Sequence, residues 1–431
     1  MRDVAVVGAG IVGCAIGLEL ARRGASCTVI DRNGEVGHGS TSASCGIVRR
    51  FYSTPTMIAM AHEGAHTWAD WAGYLGVPED SGIAHFERPG MLFIPPAIDD
   101  RVRAVVGHMR DLGVEVELLS KEEVEERFPF LDASSHSPIR QPDDDSFFDD
   151  TGRPIAGAVL EPDAGYVVSP QLATTDLRRA GDEAGVRFRL GRAVTEISRS
   201  GDGFRISLQD GSVVRAGVVV NAAGPHSAIV NELAGVSLPI ETRALRREVH
   251  AMDNPLFSAA AGSPVPILGD VDSGIYLRPE ARGREFMVGS LDPECDEKEW
   301  VTDPDDFDET CSRQAFERHA LRLMKRFPEV TLGSCRGVAG LYDVTLRDWN
   351  PILDRTDEPG FYVAMGTSGS SFKTAPVIGM ALAELIQAGE AGRDHDRDPV
   401  GLTLPRTGAE IDLGFFSRNR GAHASSGSVL G

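Results

Sequence analysis

Two stretches carry residues whose types and spacing could do chemistry. The first is Gly8-Ala9-Gly10-Ile11-Val12-Gly13, a G-x-G-x-x-G spacing between the apolar run VAVV and a segment with apolar residues at helical intervals. In that context Gly8 allows a tight turn, and Gly10 lets backbone approach a pyrophosphate at the positive end of the helix. Gly13 lets helix and strand pack closely. Asp31 ends the next apolar run, 18 residues beyond Gly13 (31 − 13). A carboxylate there accepts both ribose hydroxyls and repels a 2′-phosphate, so the pattern predicts a dinucleotide site without deciding which dinucleotide. The second stretch is STSASCGIVRRFYSTP, Ser40 to Pro55. It gathers hydroxyls, Cys45 and the Arg49-Arg50 pair with no acid, an island of donors and positive charge.

The elements that must position these residues read as follows. VAVVGAG, the helical pattern IVGCAIGLELARRG and the apolar run SCTVIDR form a β-α-β unit in about thirty residues, a parallel strand pair with its crossover helix. MIAMAHEGAHTWADWAGYLG predicts one amphipathic helix. GMLFIPP predicts a strand of a different sheet, and DRVRAVVGHMRDLG and KEEVEERFPFLD predict helices. Residues 138–151 have no period and read as a surface loop, with the acidic Asp143–Asp145 solvated and not a cation site. A capped helix follows in SPQLATTDLRRAGDEAG, then a run of strands to VVVNAAG with hairpin turns at GDG and DG. REVHAMD and GIYLRPEARGREFMVGS read as strands, and SRQAFERHALRLMKRF as a helix. GFYVAMG reads as a buried strand, and KTAPVIGMALAELIQAG as a final helix. The polar, glycine-containing tail from Arg393 reads as a surface wrap or loose end.

The chain has 431 residues, 42% apolar and 25% charged, enough for a substantial core and for about two or three domains, or one large two-domain enzyme. Its net charge of −21, from 43 basic and 64 acidic residues, disfavours nucleic-acid and anionic-membrane partners. Six cysteines show no C-x-x-C pair and no zinc spacing with a histidine, which predicts free thiols and no metal. His38, His62, His66 and His250 show no metal spacing either. Met1 leads almost directly into DVAVVGAG, and no apolar run reaches the ~20 residues of a membrane helix, so a cytoplasmic location is expected.

The fingerprint, the loop STSASCGIVRRFY, the strand VVVNAAG and the segment GFYVAMGTSGSSFKTAPVIGMALAELI together resemble the D-amino-acid oxidase superfamily, and within it the sarcosine oxidase and glycine oxidase branch. The likeness runs in order over about residues 1–390. It implies an α/β fold: a Rossmann-like FAD domain in several segments, interleaved with a substrate domain built on an antiparallel sheet. The expected ranges are 1–90, 155–245 and 335–392 for FAD, 91–154 and 246–334 for substrate, and 393–431 for the tail. The resemblance further implies that Gly8 to Gly13, Asp31, Arg32, Thr41, Ser42, Cys45, Gly46 and Ile47 contact FAD. Val194, Ala222, Ala223 and Gly224 join them. So do Gly340, Gly366 and the run Ser368, Gly369, Ser370, Ser371, Phe372 and Lys373.

In the sarcosine oxidase branch an arginine of the IVR segment binds the substrate carboxylate, and this matches Arg49. A lysine of the G-x-S-G-x-x-F-K motif is linked to the carboxylate site and to oxygen activation, and this matches Lys373. Arg50 could trade roles with Arg49, because side chains alternate along an extended chain. Tyr276 matches a segment bordering the substrate, and Tyr342 is expected to border it as well. Three departures stand out. The family's flavin-linking cysteine falls near Gly340-Leu341-Tyr342, where there is none, so FAD is expected to be non-covalent. An active-site histidine of sarcosine oxidases falls near Leu291. The carboxylate-binding arginine of glycine and D-amino-acid oxidases falls at Tyr342. The expected activity is oxidation of the C–N bond of an amino acid, secondary or N-substituted, by hydride transfer to flavin, with O2 or an electron carrier as the final acceptor. The alternatives are a 2-hydroxy acid dehydrogenase and a non-catalytic flavin-binding assembly protein. Oligomeric state is not readable from the sequence.

Overall fold

The computed structural model describes residues 2–260 and 262–428. The strand Val4–Val7 is apolar at every position because both of its faces are covered. Val4 and Val6 pack into a core with residues of helices Ile11–Arg22 and Ala375–Glu390. Ala5 and Val7 pack into a second core with Ile197, Phe204 and Ile206. A six-stranded sheet surrounds this strand in the order Ile352–Arg355, Phe361–Met365, Val218–Asn221, Val4–Val7, Cys27–Ile30, Arg187–Arg189. All neighbours are parallel except Ile352–Arg355, which is antiparallel at the edge. An antiparallel meander, Val194–Ser200, Gly203–Leu208 and Val213–Ala216, supplies the second core.

A nine-stranded, mostly antiparallel sheet forms the other half. Its longest strand, Thr242–Asp253, pairs with Gly337–Thr345 along nine residue pairs, placing Gly340 opposite Arg247 and Gly337 opposite His250. Met91–Ile94 and Ala158–Glu161 are neighbours in this sheet, antiparallel to each other. Helix Arg313–Arg326 lays Phe316, Ala320 and Leu323 on Leu277, Phe286 and Val288. The α/β architecture with a second, antiparallel sheet is therefore the one expected.

Two local expectations are corrected. The single helix foreseen through MIAMAHEGAHTWADWAGYLG is two: Pro55–Ala69 ends at Asp70, and Trp71–Leu75 restarts. The Asp70 carboxylate accepts the Gly73 N–H, and a Cβ on Gly73 would lie 2.3 Å from that carboxylate, so the capping turn displaces a continuous helix. The first helix is also buried around most of its circumference, with eleven buried residues, and is not amphipathic.

Of the two readings of the tail, the surface wrap is the one that residues 393–428 show. Strands Gly401–Thr403 and Glu410–Asp412 pair, and Leu404, Leu413 and Phe416 are fully buried. Several of its residues meet buried partners. The Glu63 carboxylate accepts the backbone N–H groups of Arg406 and Thr407, Arg418 pairs with Asp354 at 3.0 Å, and Arg420 with Asp348 at 2.9 Å.

Candidate functional site

The glycine fingerprint is held by close backbone contacts. Gly8 has φ +110°, and a Cβ there would lie 2.3 Å from the carbonyl oxygen of Ala222 on the neighbouring strand. A Cβ on Gly13 would lie 1.9 Å from the Gly8 carbonyl oxygen. Helix Ile11–Arg22 thereby starts against the strand ends. Its cap residue Gly10 offers no side chain and its first turn has no acid, leaving an open positive terminus beside Ala9 and Val12. Thr41 Oγ1 accepts the Ile11 N–H at 3.2 Å, which draws the following loop onto that terminus.

Asp31 stands where the spacing required. Its carboxylate accepts the N–H groups of Ala9 at 2.6 Å and Asn33 at 2.8 Å, which fixes it beside the glycine turn with lone pairs to spare. Arg32 turns to Asp305 at 2.5 Å and to His226 Nε2 at 3.0 Å, and His226 in turn lies 2.8 Å from Asp305. Sequence reasoning missed Asp305, which reaches Arg32 from 273 positions away. Val194 opens the meander and is half-buried, two residues beyond Arg192, whose N–H donates to the Asp31 carbonyl. Ala222, Ala223 and Gly224 follow the strand Val218–Asn221, with Ala223 N–H donating to Asn221 Oδ1.

The loop after Asp31 is tied to the nine-stranded sheet. Ser40 donates to the Leu341 carbonyl, and a Cβ on Gly340 would meet Ala43 at 2.6 Å. Ser42 folds back onto the Gly39 carbonyl. Gly46 takes φ +61° and Ile47 pairs with Tyr166. Cys45 Sγ lies 3.6 Å from Tyr276 Oη. Burial first, and then Cys45 and Tyr342, push the Tyr276 hydroxyl well above its ordinary range. Tyr342 is also pushed up by burial, and its ring faces Gly369, where a Cβ would come within 2.4 Å.

The C-terminal motif is a tight turn built for one shape. Gly366 takes φ +66°, and its N–H donates to the Asp343 carboxylate at 2.5 Å. Ser368 holds φ +47°, a costly conformation for a side-chain-bearing residue. It is fixed by its N–H to the Asp343 carbonyl at 2.7 Å and by its hydroxyl, which accepts the Thr345 N–H at 3.2 Å. Ser370 and Ser371 donate to the Thr367 carbonyl. Phe372 stacks on Trp68 at 5.2 Å, and Trp68 Nε1 donates to the Lys373 carbonyl at 2.9 Å. Gly64, on the same helix as Trp68, passes so close that a Cβ would lie 2.3 Å from that carbonyl oxygen.

These contacts bring Lys373 to Arg49 through a residue the sequence did not single out, Tyr52. Lys373 Nζ donates to Tyr52 Oη at 2.9 Å and to the Ser370 carbonyl at 3.0 Å. The Arg49 guanidinium lies 4.2 Å over the Tyr52 ring and donates to the Phe51 carbonyl. Both cations are buried, Arg49 at 5% exposure and Lys373 at 5%. Burial pushes the Lys373 ammonium below its ordinary value, and Arg49 adds to this while Tyr52 opposes it. Burial works to raise the Tyr52 hydroxyl, but the cations Lys373 and Arg49 overcome it and pull it down.

Arg50 points elsewhere, as alternation requires. It faces Glu161 at 3.9 Å, and the two Glu161 oxygens accept the N–H groups of Arg50 at 2.8 Å and Phe51 at 3.0 Å. His62 packs on His66 at 4.6 Å and is pushed down to about 4 by burial, then by His66 and Arg50, so it is a neutral core histidine.

An open helix terminus, backbone free to approach at Gly8 and Gly10, and a fixed strand-end carboxylate together fit a dinucleotide cofactor. The family model described as FAD dependent oxidoreductase, DAO, matches residues 3–385. The chain is 27% identical to FAD-dependent oxidoreductase domain-containing protein 1 of Bos taurus, over 90% of this chain and 81% of that protein. It is 24% identical to sarcosine oxidase subunit beta of an Arthrobacter species, over 95% of this chain and 92% of the relative. Among solved structures, the L-proline dehydrogenase from P. horikoshii shares the fold with a TM-score of 0.74, at 22% identity over 96% of each chain. No helix among the described residues is long and apolar enough to cross a membrane.

Proposed function

Because this chain belongs to the DAO family of FAD-dependent oxidoreductases and is an FAD enzyme of the amino acid oxidase and dehydrogenase kind, we propose that it oxidises the C–N bond of a secondary or N-substituted amino acid. The observation that carries the reading is the meeting of Arg49 and Lys373, both buried, at Tyr52. Two cations in a low-dielectric site favour an anion strongly, and a guanidinium holds a carboxylate through two parallel hydrogen bonds. Lys373 gains in the same step: a carboxylate beside it favours the protonated ammonium against the burial that pushes it down. The relatives named for sarcosine and L-proline point to a secondary amine.

Bound FAD supplies the hydride acceptor for the carbon next to the substrate nitrogen. The protein's part is placement. Arg49 and Lys373 fix the carboxylate, and Tyr276 and Tyr342 remain protonated hydroxyls on the substrate-side sheet, where they can donate to or pack on the rest of the substrate. Orientation of this kind lowers a barrier by several kcal/mol, up to about 7–11 for ideal geometry. The substrate amine reacts as the neutral base, and solvent suffices to take its proton. FAD is held without a covalent link, since no cysteine occupies Gly340-Leu341-Tyr342. With FAD bound, O2 or a carrier would serve as final acceptor, and a buried positive charge at Lys373 would favour reduction of O2 near it.

The test is anaerobic mixing of the holoenzyme with secondary amino acids, primary amino acids and 2-hydroxy acids, followed by admission of air. Bleaching of the flavin by a secondary amino acid is expected, and the return of colour in air identifies O2 as the acceptor. Bleaching by a 2-hydroxy acid alone, or by no member of the panel, would overturn the reading.

A further inference from the structure

A second constellation lies on the far end of the paired strands Thr242–Asp253 and Gly337–Thr345, in residues the flavin chemistry does not use. Ligand atoms of His250, Cys311 and Cys335 all lie within 4.8 Å of one another. The two sulfurs are 3.4 Å apart. That is too long for a disulfide of about 2.05 Å. It is a few tenths of an ångström short of the roughly 3.8 Å that two thiolates span on one tetrahedral zinc with Zn–S bonds near 2.3 Å.

The imidazole is the informative member. His250 is fully buried, with 0% exposure, and its Nδ1 lies 2.9 Å from His319 Nδ1. Its Nε2 is buried and makes no hydrogen bond. The nearest acid, Glu248, has an oxygen 3.2 Å away. That carboxylate also accepts the Ser312 N–H at 2.6 Å and Arg246 at 2.7 Å, and it keeps further lone pairs facing the ring. The ring nitrogen thus has an acid beside it but no well-formed hydrogen bond, and burial without one costs free energy. A bound cation resolves the cost: Nδ1–H donates to His319, which fixes the tautomer, and Nε2 offers its lone pair. The backbone keeps this face open. Gly337 sits opposite His250, and a Cβ there would lie 3.1 Å from the imidazole Cδ2 and 2.3 Å from the Val249 carbonyl oxygen.

We propose that His250, Cys311 and Cys335 bind one zinc ion, with solvent in the fourth position. One imidazole and two thiolates are the ligand set of zinc and not of magnesium or calcium, which take oxygen. Cys335 is exposed and Cys311 half-buried, so the ion has a route in and a place for water. Binding releases the two thiol protons to solvent, and no electron moves. The ion joins three chain segments: the long strand, the turn capping helix Arg313–Arg326 at Ser312, and the loop entering Gly337–Thr345. In sequence the ligands are separated by 61 and 24 positions (311 − 250 and 335 − 311), which is why no zinc spacing is visible and why the expectation of no metal arose.

The test uses the reduced, chelator-treated holoenzyme. Zn2+ is titrated against a chromophoric chelator, and Co2+ is added separately to look for a thiolate-to-cobalt charge-transfer band. One zinc per chain is expected, with a rise in melting temperature on Zn2+ addition. Cys335→Ser, at an exposed position, is expected to lower the affinity by roughly 100-fold or more and to remove the cobalt band. His250→Gln is expected to weaken binding similarly; if it does not fold, the Cys335→Ser result stands on its own. Failure of the reduced wild-type protein to take up Zn2+, or equal uptake by Cys335→Ser, would overturn the site. Cys311 and Cys335 closing to a disulfide on oxidation, with no Zn2+ uptake when reduced, would show a thiol pair in its place.

Discussion

Glu161→Gln tests how the segment bearing Arg49 is held. Glu161 is 2% exposed, accepts two consecutive backbone N–H groups at 2.8 and 3.0 Å, and faces the buried Arg50 guanidinium at 3.9 Å. Glutamine keeps the shape but has one acceptor oxygen, so an NH2 group must confront one of the two N–H donors. It also leaves Arg50, 7% exposed with Nε and Nη1 making no hydrogen bonds, without the charge it faces. A hydrogen bond to a charged group contributes about 1.5–3 kcal/mol, and leaving one member of a buried pair costs about 3–5 kcal/mol. The two describe overlapping interactions, so the larger range is the expected total. At about 2.1 cal/mol/K per residue, the unfolding entropy of the chain is about 0.9 kcal/mol/K, and the melting temperature should fall by about 3–6 °C. Because the freed segment carries Arg49, KM for an amino acid should rise by more than kcat falls. The assay is thermal unfolding of the holoenzyme beside steady-state kinetics. A variant that melts within 1 °C or so of wild type with unchanged KM would refute this account of the segment.

Other perturbations have equally definite outcomes. Tyr52→Phe removes the hydroxyl 2.9 Å from Lys373, a group that raises the lysine's affinity for its proton. The alkaline limb of the kcat/KM profile should therefore move to lower pH, whereas a purely structural tyrosine would leave it in place. Asp343 is pushed up to about 7 by burial, against the Gly366 N–H that favours its charged form. An acid whose folded pKa is raised lends stability that is complete below its unfolded value near 3.8 and lost as pH rises towards 7. Asp343→Asn should thus melt higher than wild type at pH 8, by up to about 4 kcal/mol, with the gap closing by pH 4 in a thermal-melt series. Arg418→Met strands the fully buried Asp354 carboxylate, so chemical denaturation should show a loss of about 3–5 kcal/mol and limited proteolysis should open the tail.

What was legible in the sequence was what local spacing encodes. Gly13 packs on the Gly8 carbonyl and the Asp31 carboxylate on the Ala9 N–H, contacts fixed within one β-α-β unit, so their spacing suffices. Arg49 and Lys373 were legible only through the resemblance. The reason they meet, Tyr52, and the reason Arg50 does not join them, Glu161, depend on contacts 321 and 111 positions apart. Such pairings leave no periodic trace. The tail's anchoring was illegible for a different reason: Arg418 and Arg420 are buried because Asp354 and Asp348, outside the tail, neutralise them. His250, Cys311 and Cys335 are likewise assembled by strand pairing, not by a motif.

The central claim is that Arg49 recognises the substrate carboxylate. It is tested most directly by the ratio of kcat/KM for a secondary amino acid to that for the same amine without its carboxylate, in wild type and in Arg49→Met. A bidentate, buried charge-assisted pair contributes about 3 kcal/mol or more, so the wild-type ratio should be at least about 100-fold and should collapse towards unity in the variant. A ratio left intact by Arg49→Met, with FAD still bound, would contradict the account.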